Sequence, residues 1–306
     1  MDSSARSSAD YMLTESRTSN PVRSPNPESR TPNPDFHAPA EPRIPNPKSR
    51  FLSGINAVLR FVLAPSCASC QSILLAPLDG PVCRGCWTAV RPITPPICES
   101  CGDPLPAWRL VSCGAARCPR CRRTPRFIDR SLAIGEYDGT LRQIIHALKY
   151  DGRRSIAQPL GKLMQKHGSN LLTGADWAVP VPLHPRRERM RGFNQAAELA
   201  RYLDLPVCFA LQRVRHTVPQ VDLPAPRRHA NVRGAFRLAG RRGWLAARRR
   251  HLPDLSHACV LLVDDVSTTG ATLDACARVL KEAGVAEVRA ITAARVVRPQ
   301  SASPIR

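Results

Sequence analysis

Acidic residues are scarce in this sequence. Asp and Glu number 24 against 45 Lys and Arg, a formal net charge of +21. Such a chain favours anionic ligands, nucleic acid or acidic surfaces. Aromatic residues make up only 5%, so a row of base-stacking side chains has little to draw on. No apolar run approaches the ~20 residues of a membrane helix. Residues 1–50 contain no apolar core of a secretory signal, so a cytoplasmic chain without a membrane span is expected. In that compartment the 12 cysteines point to metal and not to disulfides.

Residues 1–50 are rich in Ser, Pro, Asn and Arg, with Pro-Asn-Pro beginning at Pro25, Pro32 and Pro45. That composition cannot bury a core, and a disordered extension is expected. In 51–66, Phe51, Leu52, Ile55, Val58, Leu59 and Val62 recur at helical spacing, predicting a short amphipathic helix packed on the following domain.

Residues 67–126 carry four Cys-x-x-Cys knuckles. Each places two thiolates at a tight turn, and two knuckles close a tetrahedral zinc site. The simplest pairing is Cys67, Cys70, Cys83 and Cys86 for one ion, and Cys98, Cys101, Cys118 and Cys121 for a second. An interleaved pairing stays open. All positions are thiolates, so both sites read as structural zinc. Gly85 and Gly102 are expected to serve the tight turns, and Cys113 is a spare thiol or substitute ligand. A redox role is disfavoured because four knuckles occur together and no helix start is expected after them. Arg117, Arg120, Arg122, Arg123, Arg126 and Arg130 around the last knuckle suit a phosphate backbone or a solvated face equally.

The stretch 259–285 is the chemical centre. Val260–Val263 reads as a strand buried on both faces, with Asp264 and Asp265 at its end. Ser267, Thr268, Thr269, Gly270, Ala271 and Thr272 form a polar turn. Leu273, Ala277 and Leu280 then follow helical spacing, and Gly284 is a helix stop. Hydroxyls, backbone N–H groups and a helix N-terminus suit a phosphate. Paired carboxylates beside them suit the hydroxyls of a ribose. The implied ligand is a ribose 5-phosphate.

Within 127–298, strands are expected at Leu132–Ile134, Ala178–Pro182 and Val288–Val297, and helices at 141–150 and 157–167. Val181, Pro182, Leu183, His184 and Arg191 belong to a basic segment after a strand end, where pyrophosphate would sit. Gly192-Phe193-Asn194-Gln195 opens a helix through Ala200. Arg227, Asn231 and Arg233 lie in a loop that could close over the site. Arg241–His251 is a basic insertion. No catalytic residue is assigned; His184 and His229 are candidate bases only by their place in site loops.

The run Val263-Asp264-Asp265…Thr268-Thr269-Gly270-Ala271-Thr272 resembles the type I phosphoribosyltransferase motif. The resemblance implies that Asp264 and Asp265 bind the ribose of phosphoribosyl pyrophosphate and that Ser267–Thr272 holds its 5-phosphate, with magnesium accompanying the ligand. The wider set also includes the cysteine ribbon, Leu148-Lys149-Tyr150, Val179-Pro180-Val181-Pro182-Leu183, Arg191-Gly192-Phe193-Asn194-Gln195 and Asn231-Val232-Arg233-Gly234-Ala235-Phe236. Over about residues 55–297 it resembles the ComF family of competence-associated, phosphoribosyltransferase-like proteins. That resemblance implies an α/β fold: a type I phosphoribosyltransferase-like parallel sheet with flanking helices, preceded by a double zinc ribbon. It also implies a link to DNA uptake. The reading is an enzyme using phosphoribosyl pyrophosphate, a non-catalytic sensor of it or of a nucleotide, or a zinc-ribbon adaptor for single-stranded DNA with competence or recombination partners. The acceptor and oligomeric state are not implied.

Overall fold

The computed structural model describes residues 55–56, 59, 61, 64–106, 117–215, 232–240 and 253–297. The extension 1–50, most of the 51–66 helix, Cys113, Arg227, His229, Asn231 and the Arg241–His251 insertion lie outside the described residues.

Four strands form a parallel sheet in the order β1 (Arg130–Glu136), β6 (Glu287–Arg295), β5 (Cys259–Ser267), β2 (Trp177–Pro180). β5 is central and apolar on both faces, as a strand covered on both sides must be. Side chains alternate along it. Leu261 and Val263 join a core with α3 (Gly139–Tyr150), α4 (Ala157–His167) and α7 (Gln195–Ala200). Val260 and Leu262 join a second core with α8 (Ala271–Glu282). The expected 157–167 helix is reproduced at both ends.

Two further strands, β3 (Leu211–Arg213) and β4 (Phe236–Leu238), pair antiparallel beside α8. A short α5 (Ser169–Leu172) leads into β2.

The cysteine region is not a detached module. Cys67, Leu74, Val82, Cys86, Trp87 and Val90 share the core of Leu141 and Ile144 on α3. Cys98, Cys101, Leu105, Cys118 and Cys121 form a separate small cluster. Of the helix expected before the ribbon, Asn56 contacts the ribbon: its side-chain oxygen accepts from Leu78 N at 3.1 Å.

Four expectations need correction. Asp264 and Asp265 are not at the end of β5 but inside it, because β6 keeps pairing past them, from Asp264 opposite Thr292 to Ser267 opposite Arg295. Helices do start at two knuckles: α1 (Arg84–Thr88) begins inside Cys83-x-x-Cys86 and α2 (Pro119–Arg123) inside Cys118-x-x-Cys121. Gly102 has a left-handed φ of +70°, but Gly85 lies inside α1 and its turn does not require glycine. The basic segment after β2 is also not an open loop. Pro185–Arg191 forms α6, since Pro185 is at its first turn, where the missing N–H costs nothing.

Candidate functional site

The alternation of β5 sends the two aspartates to opposite faces. Asp265 shares the α3 and α7 side with Leu261 and Val263, and Asp264 shares the α8 side with Val260 and Leu262. Both are buried, at 9% and 3% exposure for Asp264 and Asp265.

Lys149, at the last turn of α3, forms an ion pair with Asp265 Oδ2. Gln195, the first residue of α7, donates to Asp265 Oδ1 at 3.4 Å. Burial, the largest single effect, opposes ionisation of Asp265, but the Lys149 charge together with hydrogen bonds from Lys149, Asp264 and Gln195 holds the carboxyl below its usual range. Burial likewise opposes the Lys149 ammonium, and the charge and hydrogen bond of Asp265, with the nearby Asp264 and Tyr137, together raise its pKa. Asp264 behaves oppositely: burial first, then the Asp265 charge, pushes it well above the usual carboxylate range. Its Oδ1 accepts the N–H of Asp265 at 2.9 Å. The two carboxyls are thus shifted in opposite directions, and the ion pair with Lys149 falls on Asp265.

The Arg-Gly-Phe-Asn-Gln segment builds the wall behind this pair. Arg191 donates to Gln195 Oε1 at 2.6 Å and stacks over the Tyr150 ring at 5.1 Å. Gly192 ends α6 with a left-handed φ of +79°, and its carbonyl accepts from Arg154. Arg154 also lies over the buried Phe193 ring at 4.4 Å. Asn194 caps α7 by accepting from Ala196 N at 3.0 Å, and its amide donates to Val181 O at 3.0 Å. One side chain thus starts a helix and fixes the end of β2.

Of the expected pyrophosphate residues, Val181 is buried and pinned, with its N–H donating to Val263 O at 2.9 Å. Pro182, Leu183 and His184 are half-buried. His184 Nδ1 accepts from Arg186 N at 3.3 Å as the cap of α6, a structural task. Arg191 is committed to Gln195 and Tyr150. Arg233 is exposed, and its carbonyl accepts from Arg215 at 2.9 Å.

The polar turn follows β5 directly. Ser267, Thr269, Gly270 and Ala271 are buried, and Thr268 and Thr272 are half-buried. Gly270 caps α8 with a left-handed φ of +77°, and Thr269 Oγ1 accepts from Ala271 N at 3.4 Å. The first N–H groups of α8 have no partner within the helix, and its dipole is positive there. The turn can therefore receive an anion.

The cysteines settle the pairing. Cys67, Cys70, Cys83 and Cys86 form one group and Cys98, Cys101, Cys118 and Cys121 another, with all four sulfurs of each within 4.8 Å of one another. Tetrahedral zinc with Zn–S near 2.3 Å needs sulfurs about 3.8 Å apart. The Cys67–Cys86, Cys70–Cys83 and Cys101–Cys118 distances are 3.8, 3.7 and 3.7 Å. Both groups fit zinc, and the interleaved pairing is excluded.

Several side chains at the site escaped sequence reasoning. Lys149 entered only within the Leu148-Lys149-Tyr150 run of the resemblance, with no role attached to it. Arg295 gave a clearer signal: it is a charge within an apolar strand and is 2% exposed. Arg126 was read only as one of a basic cluster. Arg213 on β3, whose pKa is lowered by burial and then by Arg187, also feels the Asp264 charge.

Known proteins bear on this arrangement. A family model described as "Phosphoribosyl transferase domain" matches residues 189–306, and one described as "Double zinc ribbon domain" matches residues 58–122. "Competence protein F" of Haemophilus influenzae is 30% identical over 233 residues, covering 73% of this chain and 93% of that protein. "DNA utilization protein YhgH" of Escherichia coli K12 is 33% identical over 218 residues, covering 68% and 87% respectively. "Competence protein ComFC" of Bacillus subtilis is 26% identical over 218 residues, covering 71% and 84%. No helix among the described residues is long and apolar enough to cross a membrane. With both domain matches and near full-length relatives in agreement, the chain belongs to the ComF family of phosphoribosyltransferase-like competence proteins.

Proposed function

We propose that the β5–α8 junction binds phosphoribosyl pyrophosphate or a related ribose 5-phosphate, in a protein that serves the handling of DNA taken up by the cell. One observation carries the ligand reading. A buried carboxylate, Asp265, is ion-paired to Lys149 and accepts from Gln195, a few residues before an anion-receptive helix N-terminus. A carboxylate held charged accepts hydrogen bonds from sugar hydroxyls, and the turn supplies N–H donors and hydroxyls for the phosphate.

The division of labour is electrostatic. Ser267–Thr272 holds the 5-phosphate, Asp264 and Asp265 fix the ribose, and the Val181–Arg191 segment faces the departing pyrophosphate. No protein nucleophile is needed, and the contribution is positioning. The acidic pair is not an open cation site, because Lys149 already occupies Asp265 Oδ2 and the Asp265 N–H occupies Asp264 Oδ1. Magnesium would arrive on the pyrophosphate oxygens of the ligand. The DNA role rests on the relatives, whose names state competence and DNA utilization.

Calorimetric titration with magnesium and phosphoribosyl pyrophosphate tests the reading, wild type beside Asp264→Asn/Asp265→Asn. Binding by the wild type alone supports it; equal binding, or none by either, overturns it. Pyrophosphate release that continues beyond one turnover then separates transfer from sensing.

A further inference from the structure

The second cysteine cluster and the polar turn belong to distant parts of the chain, yet they are joined by a short run of side chains. Asp103 lies two residues after Cys101. Its Oδ2 accepts from Arg120 at 3.2 Å and contacts Cys101 Sγ at 3.5 Å. Its Oδ1 accepts from Arg295. Arg295, buried at the end of β6, donates through its other arm to Ser267 Oγ at 3.0 Å. The path from cluster to turn is therefore Cys101, Asp103, Arg295, Ser267.

A second tie runs in parallel. The segment leaving Cys121 carries Arg126, which donates to Thr269 O at 2.9 Å. Its other terminal nitrogen crowds Gly270, where an added Cβ would lie only 2.5 Å from it. The next residue continues the attachment, with Phe127 N donating to Asp274 Oδ1 on α8 at 2.9 Å. Arg126 and Arg295 each keep one buried guanidinium nitrogen without a hydrogen-bond partner; Asp103 balances the Arg295 charge, and Arg126 places a cation directly on the turn at Thr269 O. Burying a guanidinium this way is costly, and a purely structural link would be served by neutral groups.

We propose that Asp103, Arg126 and Arg295 are positioning residues through which the second ribbon sets the geometry and positive potential of the Ser267–Thr272 anion site. This rests on the phosphate reading of that turn. The first ribbon attaches elsewhere: Ser69 Oγ meets Gln143 of α3 at 2.7 Å, and Arg153 donates to Ser66 O at 3.0 Å. The two ribbons thus have different tasks, one completing the main core and the other clasping the ligand turn.

The test uses full-length, zinc-loaded protein and the variants Asp103→Asn and Arg126→Lys, with Ser69→Ala as the first-ribbon control. The first readout is hydrogen exchange at the 267–272 amides without ligand. Exchange about tenfold faster in Asp103→Asn and Arg126→Lys, with zinc content unchanged and Ser69→Ala like wild type, is expected; tenfold corresponds to about 1.4 kcal/mol, the scale of a charged hydrogen bond. The second readout is affinity for phosphoribosyl pyrophosphate, expected to weaken about tenfold in the same two variants. Exchange equal to wild type in both variants overturns the proposal. Wild type that binds no ligand strikes the phosphoribosyl reading alone, because the exchange result still decides whether the ribbon positions the turn.

Discussion

Lys149, on the last turn of α3, is the counter-ion of Asp265 on β5, 116 residues further along the chain. The lysine side chain is 16% exposed and the aspartate 5%, so neither finds solvent enough to stand alone. Removing one partner strands a buried charge, which costs about 3–5 kcal/mol. Lys149→Met is expected to lose about 3 kcal/mol in denaturant unfolding, and Lys149→Met/Asp265→Asn to recover most of it. A single variant that unfolds at the wild-type midpoint would show that Asp265 is balanced elsewhere.

The pKa values of the two aspartates are shifted in opposite directions, and this gives stability a pH dependence. The folded Asp264 has a raised pKa, so its contribution is full below the ordinary value of 3.8 and is lost as pH rises through the folded value. Asp265 is lowered, so its contribution is present above 3.8 and is lost as pH falls through its folded value. Asp264→Asn removes the first effect. It is expected to raise the melting temperature at pH 8 by about 2–4 °C, the shift for ~1 kcal/mol in a domain of this size, while weakening ligand binding. No gain at pH 8 would mean that Asp264 ionises freely in the fold.

Much of this was legible in the sequence because it is local. Periodicity placed α3, α4 and α8, the apolar run placed β5, and knuckle spacing gave the zinc ligands. What the sequence hid is register and distance. Whether β5 stops before or after Asp264 is decided by β6, paired through Arg295, and not by the residues of β5. The partner of Asp265 sits 116 residues away on α3, and no spacing rule reaches that far. The corrected α6 was missed because four arginines in a row of seven residues look solvated, while Pro185 and the His184 cap were the weaker, decisive signals.

Asn194 links two elements through one amide. Its oxygen caps α7 and its nitrogen holds Val181 O. Losing a cap of this kind costs about 1 kcal/mol, and the unpaired Val181 carbonyl adds roughly another 1 kcal/mol. Asn194→Ala is expected to lose about 2 kcal/mol, and Asn194→Asp about half as much, since the carboxylate still caps α7 but cannot donate to Val181. Thermal unfolding of the two variants side by side separates the halves of that interaction.

Gly270 is constrained twice. Its φ of +77° lies where an L-residue is strained by about 1–2 kcal/mol, and an added Cβ would meet Arg126 at 2.5 Å. Gly270→Ala is therefore expected to push Arg126 off Thr269 and to lower both stability and ligand affinity. Adding Arg126→Ala should remove the clash but not the backbone strain, and should not restore binding. Full recovery of affinity in the double variant would mean that Arg126 takes no part in shaping the turn.

The two zinc sites differ in access, and they should empty in order. Cys70 is exposed and Cys83 half-buried, whereas Cys98, Cys101, Cys118 and Cys121 are all buried. Every ligand sulfur is a thiolate when zinc is bound, so the exposed Cys70 is the one thiol reagents reach first. Metal analysis of reduced, chelator-free protein should give about two zinc per chain. Titration with a thiol-reactive mercurial should then release zinc in two phases, the first belonging to Cys67–Cys86. Cys70→Ser should abolish the fast phase and leave the slow one. Because the first ribbon is built into the core around Leu141 and Ile144, the fast phase should be accompanied by loss of thermal stability. The second cluster lies beside Arg295 and Ser267, so loss of ligand affinity beyond that explained by unfolding should track the slow phase. Release of both ions in a single phase, unchanged by Cys70→Ser, would show that exposure of Cys70 does not set the order.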